Sequence, residues 1–355
     1  MGGDPNVQDK FITLLHLARE LRETRKSSQT IPDIIFSSQK FPTINKQKFY
    51  VRECYKTLYD HITELFISKV KGNHRLCIVE TSGIGKSSFF LYFVVRLLCE
   101  SKDPPIVIFH SREGQDCYAF GGTATLRIGT VQEFKSFLFL PQIWYLADSP
   151  PSSAVDFVEA TSLYSMSPQK FYSDHGNYQE IRKHSPHVYC MAPWDWDELE
   201  KCREAVFPSL SVGIVNKIYS QIGGIPRYAL EAAQAHSGLN TEQVVFRRIQ
   251  EALDHVQDVP NLLQCIAQGK DSFHYSSRLL HQWPHPNDPQ FFIVKWASSY
   301  IEEKVLEQLR EESWAGLLRD LVYFNKVNRG CLFELYVYHI FRKWRGNERE
   351  TQNSV

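Results

Sequence analysis

Apolar positions recur at helical spacing in Phe11, Leu14, Leu15, Leu17, Ala18 and Leu21, with Arg and Glu on the other face, which predicts a short N-terminal helix. Lys26 to Asn45 is rich in Ser, Gln, Pro and Lys and reads as a linker. From Phe49 the pattern becomes dense. Tyr50 to Tyr55 leads into an amphipathic helix through Val70. An apolar run, Arg75 to Val79, follows, and then a long apolar helix from near Lys86. Continuous apolar runs at 105–110, 117–120, 123–128, 143–147 and 155–160 are strand candidates, with helical patterns at 131–138 and 169–183 between them. Such alternation predicts an α/β fold whose parallel sheet is covered by helices on both faces. Beyond residue 195 the strand signals fade. Segments 198–207, 212–222, 228–235 and 241–255 read as helices of a lid-like bundle. Residues 256–300 carry Pro and His in loops, 299–344 is again helical, and no internal repeat is evident.

Composition narrows the function classes. A chain of 355 residues, 43% hydrophobic and 13% aromatic, can bury a large core, which excludes disorder over most of its length. Lys plus Arg and Asp plus Glu both number 40, so no whole-molecule field attracts polyanions, and a nucleic-acid contact would need a local patch. The eight Cys are scattered without a CxxC pair, and several sit in apolar runs, as Cys77 does; this predicts a reducing compartment with thiols used as core residues. No run of 18 apolar residues exists and the N-terminus offers no basic stretch followed by an apolar one, so neither a membrane partner nor a signal peptide is expected. The basic group Arg22, Arg25, Lys26 reads as a solvated helix end, with nuclear import as the alternative. The expected organisation is an N-terminal helix and linker (1–48), a nucleotide-binding core (49–194), a helical lid (195–255) and a helical C-terminal region (256–355).

The chemistry concentrates in Glu80-Thr81-Ser82-Gly83-Ile84-Gly85-Lys86-Ser87-Ser88. A phosphate-binding P-loop needs a strand, a loop whose backbone N–H groups wrap the phosphates, and a helix whose N-terminus faces the anion. Thr81 through Ser88 supply that loop, Lys86 reaches the terminal phosphates and the Ser87 hydroxyl ligates Mg²⁺. Gly-Lys-Ser/Thr alone arises by chance on the order of once per five or six chains of this length, so the flanking apolar strand and helix carry the assignment. The motif's first glycine position holds Glu80, which either turns to solvent or weakens nucleotide binding. Asp148, closing the run Ile143 to Ala147, stands where a second Mg²⁺ carboxylate belongs; an Asp before Ser-Pro also starts a turn. Its neighbour is Ser149 where many such ATPases carry a water-polarising Glu, so hydrolysis is either slow or uses another base. Thr161 or Ser162 would end the next strand and sense the γ-phosphate, or simply cap it. Arg227, in Gly223-Gly224-Ile225-Pro226-Arg227-Tyr228, joins two lid helices and either points back at the phosphates or faces solvent.

In their order, Val51-Arg52-Glu53-Cys54-Tyr55, Ser82 to Ser87, the Asp148 strand, Met191-Ala192-Pro193-Trp194 with Glu198-Leu199, and Gly223 to Tyr228 resemble the Crinkler effectors of fungi and oomycetes. The similarity continues through Ser276, Arg278 to His281, Ala297 to Ser299 and Arg329 to Glu334, over roughly 49–345. The family shares its module with trypanosomatid retrotransposon hot-spot proteins. The resemblance implies a P-loop ATPase related to the AAA and STAND groups, using ATP and Mg²⁺, in a secreted protein that reaches the host nucleus and alters host physiology through host protein partners. ATPases of this kind often self-associate. The family's N-terminal translocation header is not recognisable in residues 1–48. The nuclease domain that often follows the module has no room after residue 345, so DNA cleavage is not expected. The leading expectation is nucleotide-controlled association with partners; an active ATPase remodelling nucleic acid or protein, and a scaffold that binds no nucleotide, are the alternatives.

Overall fold

The computed structural model describes residues 5–25, 31–67, 75–79, 81–101, 103–111, 116–121, 124–148, 158–172, 176–184, 186–236, 241–256, 262, 278–286 and 288–308, with scattered residues between 314 and 341. Helix α1 (Pro5–Arg25) precedes a two-stranded antiparallel ribbon, β1 (Ile34–Phe36) and β2 (Lys48–Tyr50), and helix α2 (Glu53–Ile67). The central sheet starts with β3 (Arg75–Val79), from which the chain passes through the loop into α3 (Lys86–Glu100). Strands β4 (Val107–His110), β5 (Asp116–Gly121) and β6 (Ala124–Thr130), the short helix α4 (Lys135–Leu138), β7 (Trp144–Asp148) and β8 (Thr161–Met166) follow. Helices α5 (Pro168–Phe171) and α6 (Gly176–Lys183) lead to β9 (His187–Tyr189).

The seven strands lie in the order β6-β5-β4-β7-β8-β3-β9. Pairing is parallel from β4 to β9, and antiparallel where β5 and β6 extend the far edge. The expected parallel sheet is present, and β5 and β6 extend it antiparallel because β4, β5 and β6 are joined by connections too short for a crossover. Both faces are covered, as the continuous apolar runs require. One carries α1, α2 and α3 over Leu76, Ile78, Phe109, Leu146 and Leu163; the other carries α4, α5 and α6 over Cys77, Val79, Ile108, Tyr145 and Tyr164. Helix α3 is buried on nearly every side from Phe89 to Cys99, so its sequence is apolar all round rather than amphipathic. Phe11 of α1 stacks on Tyr118 with centroids 4.1 Å apart and so closes the β4–β5 end of that face.

After β9 come α7 (Trp196–Val206), α8 (Val212–Ile222), a π-helical turn (Arg227–Ala232) running into α9 (Ala233–Ala235), and α10 (Thr241–Asp254). Asp195 caps α7 by accepting the Glu198 N–H. Then β10 (Leu280–His285) and β11 (Asp288–Trp296) form an antiparallel hairpin, followed by α11 (Ser299–Leu306), which Ser298 caps. No helix among the described residues is long and apolar enough to cross a membrane.

Three expectations are corrected. Segment 31–45 is part of a packed ribbon: Ile35 and Phe41 are buried, and their apolar contacts outweigh the polar composition around them. The 280–296 stretch is a hairpin rather than loops, with Pro284 at a register shift near its turn, where a missing N–H is tolerated. The strand expected at 155–160 begins at Thr161; residues 155–157 lie outside the described residues, and 158–160 precede the strand.

Two buried histidines set a pH limit. Burial lowers the pKa of His110 to about 4 and that of His281 to about 3. Each is held neutral in the fold but titrates near 6.5 when unfolded, so the unfolded chain binds more protons below that pH. Stability should be full above pH 6.5 and fall as the pH drops toward 4, by roughly 1.4 kcal/mol per pH unit for each histidine. Urea unfolding between pH 4 and 8 checks this, and His110→Gln, which keeps a partner for Tyr145, should halve these residues' contribution to the slope.

Candidate functional site

The loop after β3 is shaped by two glycines in the left-handed region, Gly83 (φ 96) and Gly85 (φ 113). Side chains are excluded at both. A Cβ on Gly83 would lie 2.9 Å from Arg227 Cβ, and one on Gly85 would collide with the Tyr55 hydroxyl. The loop's carbonyls are taken from outside. Gly83 O accepts the Arg227 backbone N–H (3.3 Å), Ile84 O the Trp194 indole N–H (2.7 Å) and Gly85 O the Tyr55 hydroxyl (2.9 Å). The N–H groups of Gly83, Ile84 and Gly85 have no acceptor among the described residues. A run with its carbonyls engaged outward and its N–H groups unspent at a helix N-terminus has the geometry of an anion-binding nest.

Parallel pairing brings the other groups to this nest. Alternation puts Asp148 of β7 and Ser165 of β8 on the α3 face, and Asp148 and Ser165 are register partners. Asp148, 2% exposed, accepts the Ser87 hydroxyl at 2.7 Å through Oδ2 and the Ser165 hydroxyl at 3.2 Å through Oδ1. Lys86 Nζ donates to Thr81 O at 3.4 Å. Across the loop, Arg227 Nη1 donates to Ser82 Oγ at 2.9 Å, so the first helical turn after Gly223-Gly224 rests on the loop. These groups line a cavity of 270 Å³ with Ser82, Gly83, Gly85, Lys86, Ser87, Ser88, Asp148, Ser165 and Arg227 at one end. Cys202 lies in its wall; burial pushes the thiol up to about 12, so it is a neutral, apolar surface.

Of the residues the sequence singled out, Thr81 and Ile84 have their side chains elsewhere. Thr81 is fully buried and its hydroxyl accepts the Gln282 N–H of β10 at 3.2 Å, while Ile84 is buried in the core. Glu80 and Ser149 lie outside the described residues. Thr161 and Ser162 sit at the start of β8, away from the loop, and bond to Pro141 O and Ala160 O. The residue of that strand at Asp148 is Ser165, which the sequence reading missed because it placed the strand six residues early. The supports Tyr55 and Trp194 were visible only as resemblance motifs, since an aromatic donor to a carbonyl leaves no periodic signal.

Trp194 is itself held. The Arg52 guanidinium, 2% exposed, forks onto Glu198 at 2.9 and 2.7 Å, donates to Ala192 O at 2.9 Å, and lies 4.6 Å over the Trp194 ring.

The mixed sheet, the glycine loop and the facing Asp148 define an α/β fold of the P-loop kind. No family model matches the chain. Two curated proteins are similar, Crinkler effector proteins 15 and 16 of Phytophthora infestans, each 25% identical over 206 residues; these cover 57% of this chain and 31% of each relative. The match therefore spans under a third of the relatives' length. Among solved structures, AMPPCP-bound DnaA from Aquifex aeolicus matches 86% of this chain and 92% of its own, at a TM-score of 0.35 and 11% identity. That likeness is too low to carry an argument, and the fold assignment stands on the strand order and loop above.

Arg52→Met should destabilise the protein by about 3 kcal/mol, the low end for a broken buried pair because Glu198 keeps 16% exposure. Adding Glu198→Leu should recover part of the loss, the carbonyls of Ala192 and Pro193 remaining short of a donor. Urea midpoints of the two variants measure this.

Proposed function

We propose that the protein binds a nucleoside triphosphate, ATP, with Mg²⁺, and that nucleotide occupancy controls the packing of the lid and hence association with partner proteins. The observation that carries this is the Ser87–Asp148 contact of 2.7 Å at the open end of a loop with left-handed glycines and unspent N–H groups. A hydroxyl and one carboxylate converging there suit Mg²⁺, which takes few protein ligands and completes its shell with phosphate oxygens and water. No cluster of three or more His, Cys, Asp or Glu exists among the described residues, so a metal held by protein alone is not supported. Bound Mg²⁺ would neutralise phosphate charge. The chain's own residues do the rest: the nest N–H groups hold the phosphates, Lys86 turns from Thr81 O to a phosphate oxygen, and Arg227 is within reach of the same group from the lid.

The two carboxylates lining the cavity are both engaged, Asp148 with two hydroxyls and Glu231 with Lys46 at 2.7 Å. Neither is placed as a general base, which favours a nucleotide-set switch over rapid turnover. Similarity to the Crinkler effectors supports the wider reading, a secreted effector acting inside a host cell, with the nucleus as its expected compartment.

Titration calorimetry with MgATP tests the binding. Lys86→Ala should weaken it about 10- to 100-fold, as expected for loss of a hydrogen bond from a charged donor. No heat and no thermal shift with the unaltered protein would overturn the reading.

A further inference from the structure

The cavity is walled on one side by the turn between β1 and β2 and on another by the lid. Thr43, Ile44 and Lys46 line it from the turn, and Phe207, Leu230 and Glu231 from the lid. The two walls meet at the rim. Lys46 Nζ pairs with Glu231 at 2.7 Å and lies 4.4 Å over the Phe207 ring, while the two charged side chains stay 30% and 48% exposed. Glu231 stands four residues after Arg227, which bonds to Ser82, so the lid segment that rests on the phosphate loop also carries the partner of Lys46.

The turn is fixed at its ends and strained in its middle. Phe41 and Phe49 are buried edge to face with centroids 5.1 Å apart, and Lys48 Nζ donates to Ala205 O in the last turn of α7 at 2.7 Å. Between these anchors Thr43 has φ 64, and the Ile44 N–H bonds across it to Pro42 O at 2.7 Å. A positive φ enclosed by such a bond is the γ-turn of the rare, strained hand, and a β-branched residue avoids it most. The Thr43 hydroxyl adds a second cost, since it is buried with no hydrogen-bond partner among the described residues. Both costs belong to the present shape of the turn. Returning Thr43 to negative φ breaks the Ile44 bond, relieves the strain, frees the hydroxyl for water and swings Ile44 out of the cavity wall. Strain of this kind persists only where other contacts hold it, and it gathers at switch segments. The contacts that hold this turn to the lid are those of Lys46.

We infer that the β1–β2 turn is a strap, latched to the lid by Lys46 and Glu231, that gates passage of the nucleotide to and from the phosphate loop without itself holding the ligand. The inference rests on the reading of the loop as a triphosphate site and adds the control of exchange. Strain at Thr43 favours the open strap and the latch favours the closed one. Their balance sets the fraction of time for which the cavity is open. A strap that closes equally well over an empty and a filled cavity changes arrival and departure by the same factor and leaves affinity alone.

Rapid mixing of the full chain with Mg²⁺ and a ribose-labelled fluorescent ATP gives the association rate, and a chase with excess unlabelled MgATP gives the dissociation rate. Glu231→Gln should raise both rates about 2- to 5-fold, as expected for loss of an exposed ion pair. Thr43→Gly should lower both about 5-fold, the low end for relief of a left-handed residue, because glycine also frees the open turn. That variant should melt at the same or a higher temperature, since the strain is gone from the fold. In each variant the ratio of the two rates should stay as in the unaltered protein. A shift in only one rate, shifts of the same sign in both variants, or a variant with neither rate moved would overturn the strap while leaving the phosphate loop in place. Failure of the unaltered protein to bind MgATP would overturn both.

Discussion

The site depends on the outward anchoring of three carbonyls. Gly83 O, Ile84 O and Gly85 O are each taken by a group from a different part of the chain, Arg227, Trp194 and Tyr55. Without those donors the loop would be a flexible glycine turn, free to spend its N–H groups on its own carbonyls. With them its peptide planes are set before any ligand arrives, and preorganisation of this kind lowers the entropic cost of binding. The anchors are supported in turn: Arg52 holds the Trp194 ring from below, and the Glu198 that neutralises it belongs to the first turn of α7.

The same contacts join loop and lid. The Trp194 backbone N–H donates to Gly224 O at 3.0 Å, and a Cβ on Gly224 would collide with the Trp194 backbone. Gly223, at φ 71, leaves no space for a Cβ either, because Ala297 O and His281 stand against it. The Gly223-Gly224 turn is therefore pressed between the Trp194 segment and the C-terminal hairpin, whose Gln282 N–H also reaches Thr81. A change at the loop has physical routes to the lid through Arg227 and Trp194, and to the hairpin through Thr81. On the reading proposed above, nucleotide control of association would run through these contacts.

Much of this was legible in the sequence for a simple reason. Strands β3, β4 and β7 are buried on both faces and read as continuous apolar runs, and Gly85-Lys86-Ser87 after β3 has one structural meaning in that context. Legibility failed where packing overrode composition. Strand β8 is fully buried yet carries Thr161, Ser162 and Ser165, whose hydroxyls are satisfied by carbonyls and by Asp148, so its hydropathy looks like that of a turn. The β1–β2 ribbon hides Ile35, Phe41 and Phe49 among Ser, Gln and Lys, and the C-terminal hairpin carries a proline in a strand.

The most direct test of the account is a crystal structure of the protein with Mg²⁺ and a non-hydrolysable ATP analogue. The account predicts phosphate oxygens against the N–H groups of residues 83–87, the metal between Ser87 and Asp148, and loop Cα atoms within about 1 Å of their positions here, as for other preorganised sites. A loop that rebuilds around the ligand with the Trp194 and Tyr55 bonds broken, or an analogue bound away from the loop, would contradict it.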